Sequence, residues 1–277
     1  MMLRSIKMQT KVLFQKKLTI TVFFILLGLV IINFFTNLQE FSGEDINTII
    51  HPMQMIFLSG RIERTNVLFF QYYPLLVIIP SAFAYINDKN SKEISFIQSR
   101  VGRKNYYWGR FISCFLVSFV LFTSPFIIEA ILNCITFPLE AVADVSRNSF
   151  FSLEYIEKIN GYLFSSLWYL NSYLYVFLFI LGFGFMSAVF AVFAMALSTF
   201  SFIKFKVLLF VPIYALLYIV ANIKDMFSLN YLTYYYRYIS MLDDGPKSEW
   251  ALLVFVLSIM FCNSIILFVN IRKDEII

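Results

Sequence analysis

The chain has 277 residues, of which 60% are hydrophobic and only 14% charged, with a formal net charge of +5. A soluble domain carries about a quarter charged residues, so this composition excludes a water-solvated globule and points to lipid as the solvent. The 34 Phe and 17 Tyr suit surfaces that meet acyl chains and the membrane interface, and the uneven placement of the basic residues speaks to orientation rather than to nucleic acid.

Residues 3–17 come first. Arg4, Lys7 and Lys11 fall on one helical stripe, and Leu3, Ile6 and Leu13 on a neighbouring one. A basic amphipathic helix of this kind lies on an anionic leaflet. It leads into six apolar stretches: 18–35, 67–86, 111–137, 174–197, 207–223 and 250–270. Each is close to the ~20 residues that cross a bilayer as a helix. The runs are continuous rather than alternating, which favours helix over strand, and a helix satisfies its own backbone in lipid. The first stretch follows a long basic region and has no small-residue cleavage site behind it, so it reads as an uncleaved anchor. Residues 159–203 lack any charge and are long enough for two spans. Asn160, Gly161 and Asn171 mark the first third as interfacial, so one span is placed there.

With six spans, residues 1–17, 87–110, 199–206 and 271–277 share one side and hold fifteen Lys and Arg. The opposite side holds seven, while twelve of the acidic residues lie there. Basic loops stay cytoplasmic, so both termini are expected inside. The expectation is an all-α integral membrane fold: a single transmembrane domain over 1–277, with an N-terminal interfacial helix, six spans and a short cytoplasmic helix between spans two and three.

That short helix lies in the polar segment 87–110. Asn90 is placed to cap it, Glu93 follows three residues later as in a capping box, and Ile94, Ile97 and Val101 form one apolar face. Lys92 lies between cap and box, Arg100 lies in the last turn, and Gly102 stands where a helix stops. The segment is either a solvated connector rich in cytoplasmic cations or a docking helix for a partner. Arg103 and Lys104 lead to Tyr106, Tyr107, Trp108 and Arg110, read as an interfacial anchor at the mouth of the third span.

Glu129 is the one ionisable residue well inside a span, with Asn133 one turn further on the same face. An intramembrane carboxylate is expensive to keep. It is either a structural or interfacial carboxylate or a cavity-lining group. Gly184, Ser187, Ala191, Ala194 and Ser198 form a stripe of small residues along the fourth span. Such stripes let helices approach closely, within the chain or against a second subunit. His51 reads as an exposed residue of an outer loop. Tyr231, Tyr234, Tyr235, Tyr236 and Tyr238 read as an interfacial belt, and Cys114, Cys134 and Cys262 as small buried hydrophobes. No phosphate-cradling Gly-rich loop with its Lys, no metal-ligand spacing and no catalytic set occurs in the sequence, so no enzyme and no cofactor site is expected in this chain.

The layout, together with Glu93, Arg100, Arg103, Lys104, Tyr107 and Arg110 in order before the third span, resembles that of the bacterial ABC-2-type transporter permeases. The segment 229–238 is similar to the family's outer segment before the last span, without the proline common there. The resemblance implies the membrane subunit of an ATP-driven transporter in the cell membrane, exporting amphipathic cargo. A separate cytoplasmic P-loop ATPase subunit would bind ATP and Mg²⁺ and receive the helix at 90–101, and a second permease protomer would complete the assembly. The residues themselves leave other readings open: a secondary transporter, a non-transporting immunity or assembly protein, and, last, an intramembrane enzyme.

Overall fold

The computed structural model describes residues 2–44, 49–59, 63–90, 93–139, 159–200, 206–219, 238–241 and 248–273. Among them every regular element is helical. In chain order these are α1 (Met2–Gln15), α2 (Lys17–Glu40), α3 (Glu63–Ile78), α4 (Ala84–Asn90), α5 (Glu93–Val101), α6 (Arg103–Thr136), α7 (Ser165–Leu170), α8 (Ser172–Ser198), α9 (Phe210–Tyr214) and α10 (Glu249–Lys273). A π turn at Ile79–Phe83 joins α3 to α4 without ending the span. Pro80 lies in it; proline has no N–H and its ring crowds the carbonyl one turn back, and a wider turn makes room.

Five helices are long and apolar enough to cross a membrane: Lys17–Glu40, Leu68–Lys89, Arg103–Thr136, Ser172–Ser198 and Glu249–Arg272. They match five of the six apolar stretches. The sixth, 207–223, is described only to residue 219, where Phe210–Ile219 is a shorter apolar helix. The charge-free region 159–203 holds one span-length helix among its described residues. Asn171 is extended, with φ −163° and ψ 108°, and its side chain accepts from the Leu174 N–H to start α8. The polar residues that marked the first third as interfacial therefore also mark where the span begins.

Gly102 has φ +83°, a conformation that only glycine adopts at no cost, and it separates α5 from α6 as expected from the sequence. Helix α6 begins at Arg103, eight residues before the apolar stretch. Its early turns pack on α1, which changes the meaning of the aromatic run. Tyr106, Tyr107 and Arg110 are buried and only Trp108 is exposed. They are core residues of a helix pair, and the expected snorkelling anchor is confined to Trp108.

Helix α1 also differs from its pattern. Its buried face is Ser5, Gln9 and Leu13, while Leu3 is exposed. The Gln9 amide donates to the Tyr106 carbonyl at 3.2 Å, and Ser113 Oγ donates to the Ile6 carbonyl at 3.0 Å. Gly109 permits this approach, since a Cβ there would stand 2.6 Å from Ser5 Oγ. The polar residues face protein because hydrogen bonds to α6 are available there. Arg4, Lys7 and Lys11 point away, flanked by exposed Met8, Val12 and Phe14, which suits a membrane surface.

Helix α6 makes its broadest contact with α8. Between them and α3 lies a cluster of rings packed edge-on or tilted. Phe69, Tyr73, Phe122, Phe126 and Phe183 have centroid separations between 5.3 and 6.5 Å, in the range where aromatic pairs attract. Helices α2 and α10 keep most of their apolar surface outward, as lipid-facing helices do. Cys114 is buried, Cys134 half-buried and Cys262 exposed, so the small-core-residue expectation fails for Cys262.

Candidate functional site

Helix α5 forms one corner of the bundle, between the second and third spans. Ile94 and Ile97 pack against the core and Val101 is half-buried. Phe96, Ser99 and Arg100 are exposed, followed by exposed Arg103 and Lys104 across the Gly102 turn. The apolar face read from the sequence is thus the inner face, and the outward face joins an aromatic ring to three cations. Asn90 is the last residue of α4 and Glu93 the first of α5. Their side chains and all of Lys92 lie outside the described residues, as does the capping contact.

Beneath this corner, three charged side chains meet that the sequence did not connect. Lys16 sits in extended conformation between α1 and α2, Asp88 lies in α4 and Arg110 in α6. Lys16 Nζ donates to Asp88 Oδ1, and Arg110 Nη2 lies 2.9 Å from Asp88 Oδ2. The second contact is a close charge pair rather than an aligned hydrogen bond, since neither Nη2 nor Nε of Arg110 makes one. Side-chain exposures are 21% for Lys16, 10% for Asp88 and 4% for Arg110. One carboxylate therefore ties the α1–α2 junction, the end of the second span and the start of the third.

At the far end of the same spans a second polar cluster encloses Glu129, which is fully buried. Its Oε1 accepts from Asn33 Nδ2 at 2.6 Å and from the Phe57 N–H at 2.8 Å. Asn33 and Asn37 both donate to the Met55 carbonyl, at 2.8 and 2.7 Å. Asn133 donates to the Pro52 carbonyl at 3.4 Å. The clamped segment, residues 52–59, is buried throughout. The segment is two short 3-10 turns, Pro52–Gln54 and Phe57–Ser59, and side chains of α2 and α6 satisfy the Pro52 and Met55 carbonyls and the Phe57 N–H. The Glu129 carboxyl is thereby tied to the buried segment through the Phe57 N–H and to α2 through Asn33. Glu129 Oε2, Asn37 Oδ1 and Asn133 Oδ1 have no hydrogen-bond partner. The Asn33–Asn37 pair, one turn apart in the first span, was visible in the sequence as polar residues near the end of an apolar run.

The loop cap extends across the end of the bundle. Met241 N–H and Ser240 Oγ donate to the Leu58 carbonyl at 2.9 and 3.2 Å. His51 is not an exposed loop residue. It is half-buried, its ring lies 5.8 Å from that of Trp168 and 5.1 Å from that of Tyr173, and its Nδ1 accepts from the Met53 N–H at 3.2 Å. Burial lowers its pKa, which keeps the ring neutral and Nδ1 free to accept. Tyr238 is buried and donates to the Ser248 carbonyl, so it does not join a belt. Tyr231, Tyr234, Tyr235 and Tyr236 lie outside the described residues.

The small-residue stripe is used within the chain. Gly184, Ser187, Ala191, Ala194 and Ser198 are all buried. Gly184 faces Thr123 and the Phe119 carbonyl of α6, and Ser187 Oγ lies 2.9 Å from the Tyr73 hydroxyl of α3. The stripe, the corner and the Glu129 cluster thus occupy three separate places. No group of three or more His, Cys, Asp or Glu able to hold a metal occurs among the described residues.

No family model matches the chain, and no curated protein and no solved structure matches it.

Proposed function

We propose that the chain is the membrane-spanning permease subunit of an ATP-driven exporter, with six spans and both termini in the cytoplasm of a bacterial cell. The observation that carries this reading is helix α5: its apolar face packs inward, and Phe96, Arg100, Arg103 and Lys104 are left outward at a corner between two spans. An outward aromatic among cations is what a docking surface needs and what a plain connector does not. In this reading a cytoplasmic P-loop ATPase subunit seats on α5 and binds ATP and Mg²⁺, and this chain has no catalytic role. Two permease protomers and two ATPases form the working unit. ATP-driven closure pulls on α5, and the Lys16–Asp88–Arg110 group passes the displacement to α1 and the third span. ATP biases the transporter only by binding one global state better than the other. The cargo class is amphipathic, peptide-like or lipid-like.

The test is co-purification of the tagged chain with a P-loop ATPase from its native host. Charge reversal at Arg100 or Glu93 is expected to abolish stable assembly and permease-stimulated ATP hydrolysis. A chain that purifies alone and moves solute down an ion gradient in proteoliposomes would overturn the reading. That outcome belongs to a second reading, secondary transport, which the Glu129 cluster favours because it places a buried carboxyl with one unpartnered oxygen between two spans.

A further inference from the structure

Asp88 and Glu129 are the two buried carboxyls among the described residues, and their surroundings are opposite. Asp88 meets two cations, Lys16 and Arg110. Glu129 is 0% exposed and forms no ion pair; its bonds are those from Asn33 and from the Phe57 N–H. Around it stand Asn33 and Asn37 of α2, the Phe57 N–H of the buried segment and Asn133 of α6, none of which titrates. Among the described residues, the titratable groups of the adjoining elements are engaged elsewhere or lie outward. His51 packs on Trp168 and Tyr173, Tyr73 of α3 bonds to Ser187, and Tyr175 of α8 packs on Tyr162 and Trp168. Glu40 is exposed at the end of α2, and Cys134 is half-buried on α6.

The hydrogen bonds of this cluster are short of a donor. Glu129 Oε1 accepts twice, from Asn33 Nδ2 at 2.6 Å and from the Phe57 N–H at 2.8 Å, while Oε2 has no partner. The other asparagine amides are committed to backbone: Asn37 Nδ2 donates to the Met55 carbonyl and Asn133 Nδ2 to the Pro52 carbonyl. The three side-chain atoms left over, Glu129 Oε2, Asn37 Oδ1 and Asn133 Oδ1, are all acceptors.

An ionised carboxylate only accepts, whereas a carboxylic acid has one O–H to give. One proton on Oε2 turns an unpartnered acceptor into a donor, and Asn133 Oδ1 is an acceptor in want of one. Asn133 follows Glu129 by four residues, the spacing that brings side chains of one helix face together, with Cβ atoms about 5–6 Å apart. A buried carboxyl with no cation beside it is far less costly neutral than ionised. A proton also needs no cavity, so the complete burial of Oε2 is no obstacle.

We propose that Glu129 is a proton-binding site: at neutral pH the folded chain holds it as a carboxylic acid, its proton on Oε2 and donated to Asn133 Oδ1. Oε1 is then the carbonyl oxygen that accepts from Asn33 and Phe57, and the buried segment 52–59 is tethered to an uncharged group. The site rests on neither transport reading. The test is infrared spectroscopy of the full chain at neutral pH, in a detergent without carbonyl groups. Wild type is expected to show the C=O stretching band of a protonated carboxyl. Glu129→Gln keeps a carbonyl oxygen and a donor, so it is expected to lose the band and keep the thermal midpoint. Asn133→Leu is expected to move the band to higher frequency, because the O–H loses its acceptor. Thermal unfolding checks each variant. If either unfolds early, wild-type chain carrying glutamate isotope-labelled at the carboxyl carbon decides by NMR, where one acid-form carboxyl is expected at neutral pH. A wild-type chain with no protonated carboxyl would overturn the proposal, as would a band that survives Glu129→Gln or ignores Asn133→Leu. So would a carboxylate signal from Glu129 that changes when sodium is added, the mark of a cation in the proton's place.

Discussion

Replacing Asp88 by alanine removes the carboxylate that contacts both Lys16 and Arg110. Arg110 keeps 4% side-chain exposure, so it gains no water when its partner goes, and it is left beside a second cation. Removing one partner of a buried pair costs about 3–5 kcal/mol. At about 2–4 °C per kcal/mol for chains of a few hundred residues, the unfolding midpoint in detergent is expected to fall by roughly 6–20 °C. The paired substitution Asp88→Leu with Arg110→Leu removes both charges. Swapping a buried pair for apolar residues is neutral or stabilising by about 1–4 kcal/mol, so the double variant is expected to recover most of the loss. The assay is thermal unfolding of the full chain in detergent, at low and high salt. Burial also predicts that the wild-type midpoint changes little with salt, because screening acts on exposed charges. An Asp88→Ala midpoint equal to wild type, or a double variant as unstable as the two singles added together, would refute the reasoning.

Four further outcomes follow from single contacts. Gly109→Val places a Cβ 2.6 Å from Ser5 Oγ and 3.1 Å from Gln9 Nε2; α1 is expected to lift from α6 at a cost of about 1–3 kcal/mol, read as faster proteolysis at Lys7 and Lys11. Gly184→Ala collides with Thr123 and is expected to destabilise by a similar amount, and Thr123→Ala should relieve most of it in the double variant, measured by thermal unfolding. Glu129→Ala leaves the Phe57 N–H and one Asn33 N–H without their acceptor, at about 1–3 kcal/mol each. Thiol labelling of Met55→Cys is therefore expected to speed up at least tenfold, and less with Glu129→Gln, which keeps an oxygen. The His51 pKa is lowered in the folded chain, so the unfolded chain takes up the proton first. Stability is then expected to be full above about pH 6.5, the ordinary histidine value, and to fall as pH drops below it. His51→Phe should remove that component of the midpoint's pH dependence.

Composition and run length determined that this chain forms lipid-soluble helices, and they located five of them to within a few residues, except where α3 and α6 begin early. Run length suffices because a helix in lipid answers only to its own backbone. Gly102 and the one span within 159–203 were legible for the same local reason: a positive φ and a helix-starting Asn are properties of single residues. The faces were not legible. The sequence pattern marks Tyr106 and Arg110 as interfacial anchors, but both are buried where α6 packs on its neighbours, and it marks His51 as exposed, but Trp168 and Tyr173 lie against its ring. Asp88 sits 72 residues from Lys16 in sequence, and Asn33 sits 96 from Glu129. No periodicity connects such pairs, because the pairing depends on which helices adjoin and at what height. The hydrophobic stretches thus set the solvent and five of the long helices, while tertiary packing alone decided which polar groups are paired and which segment between the spans is buried.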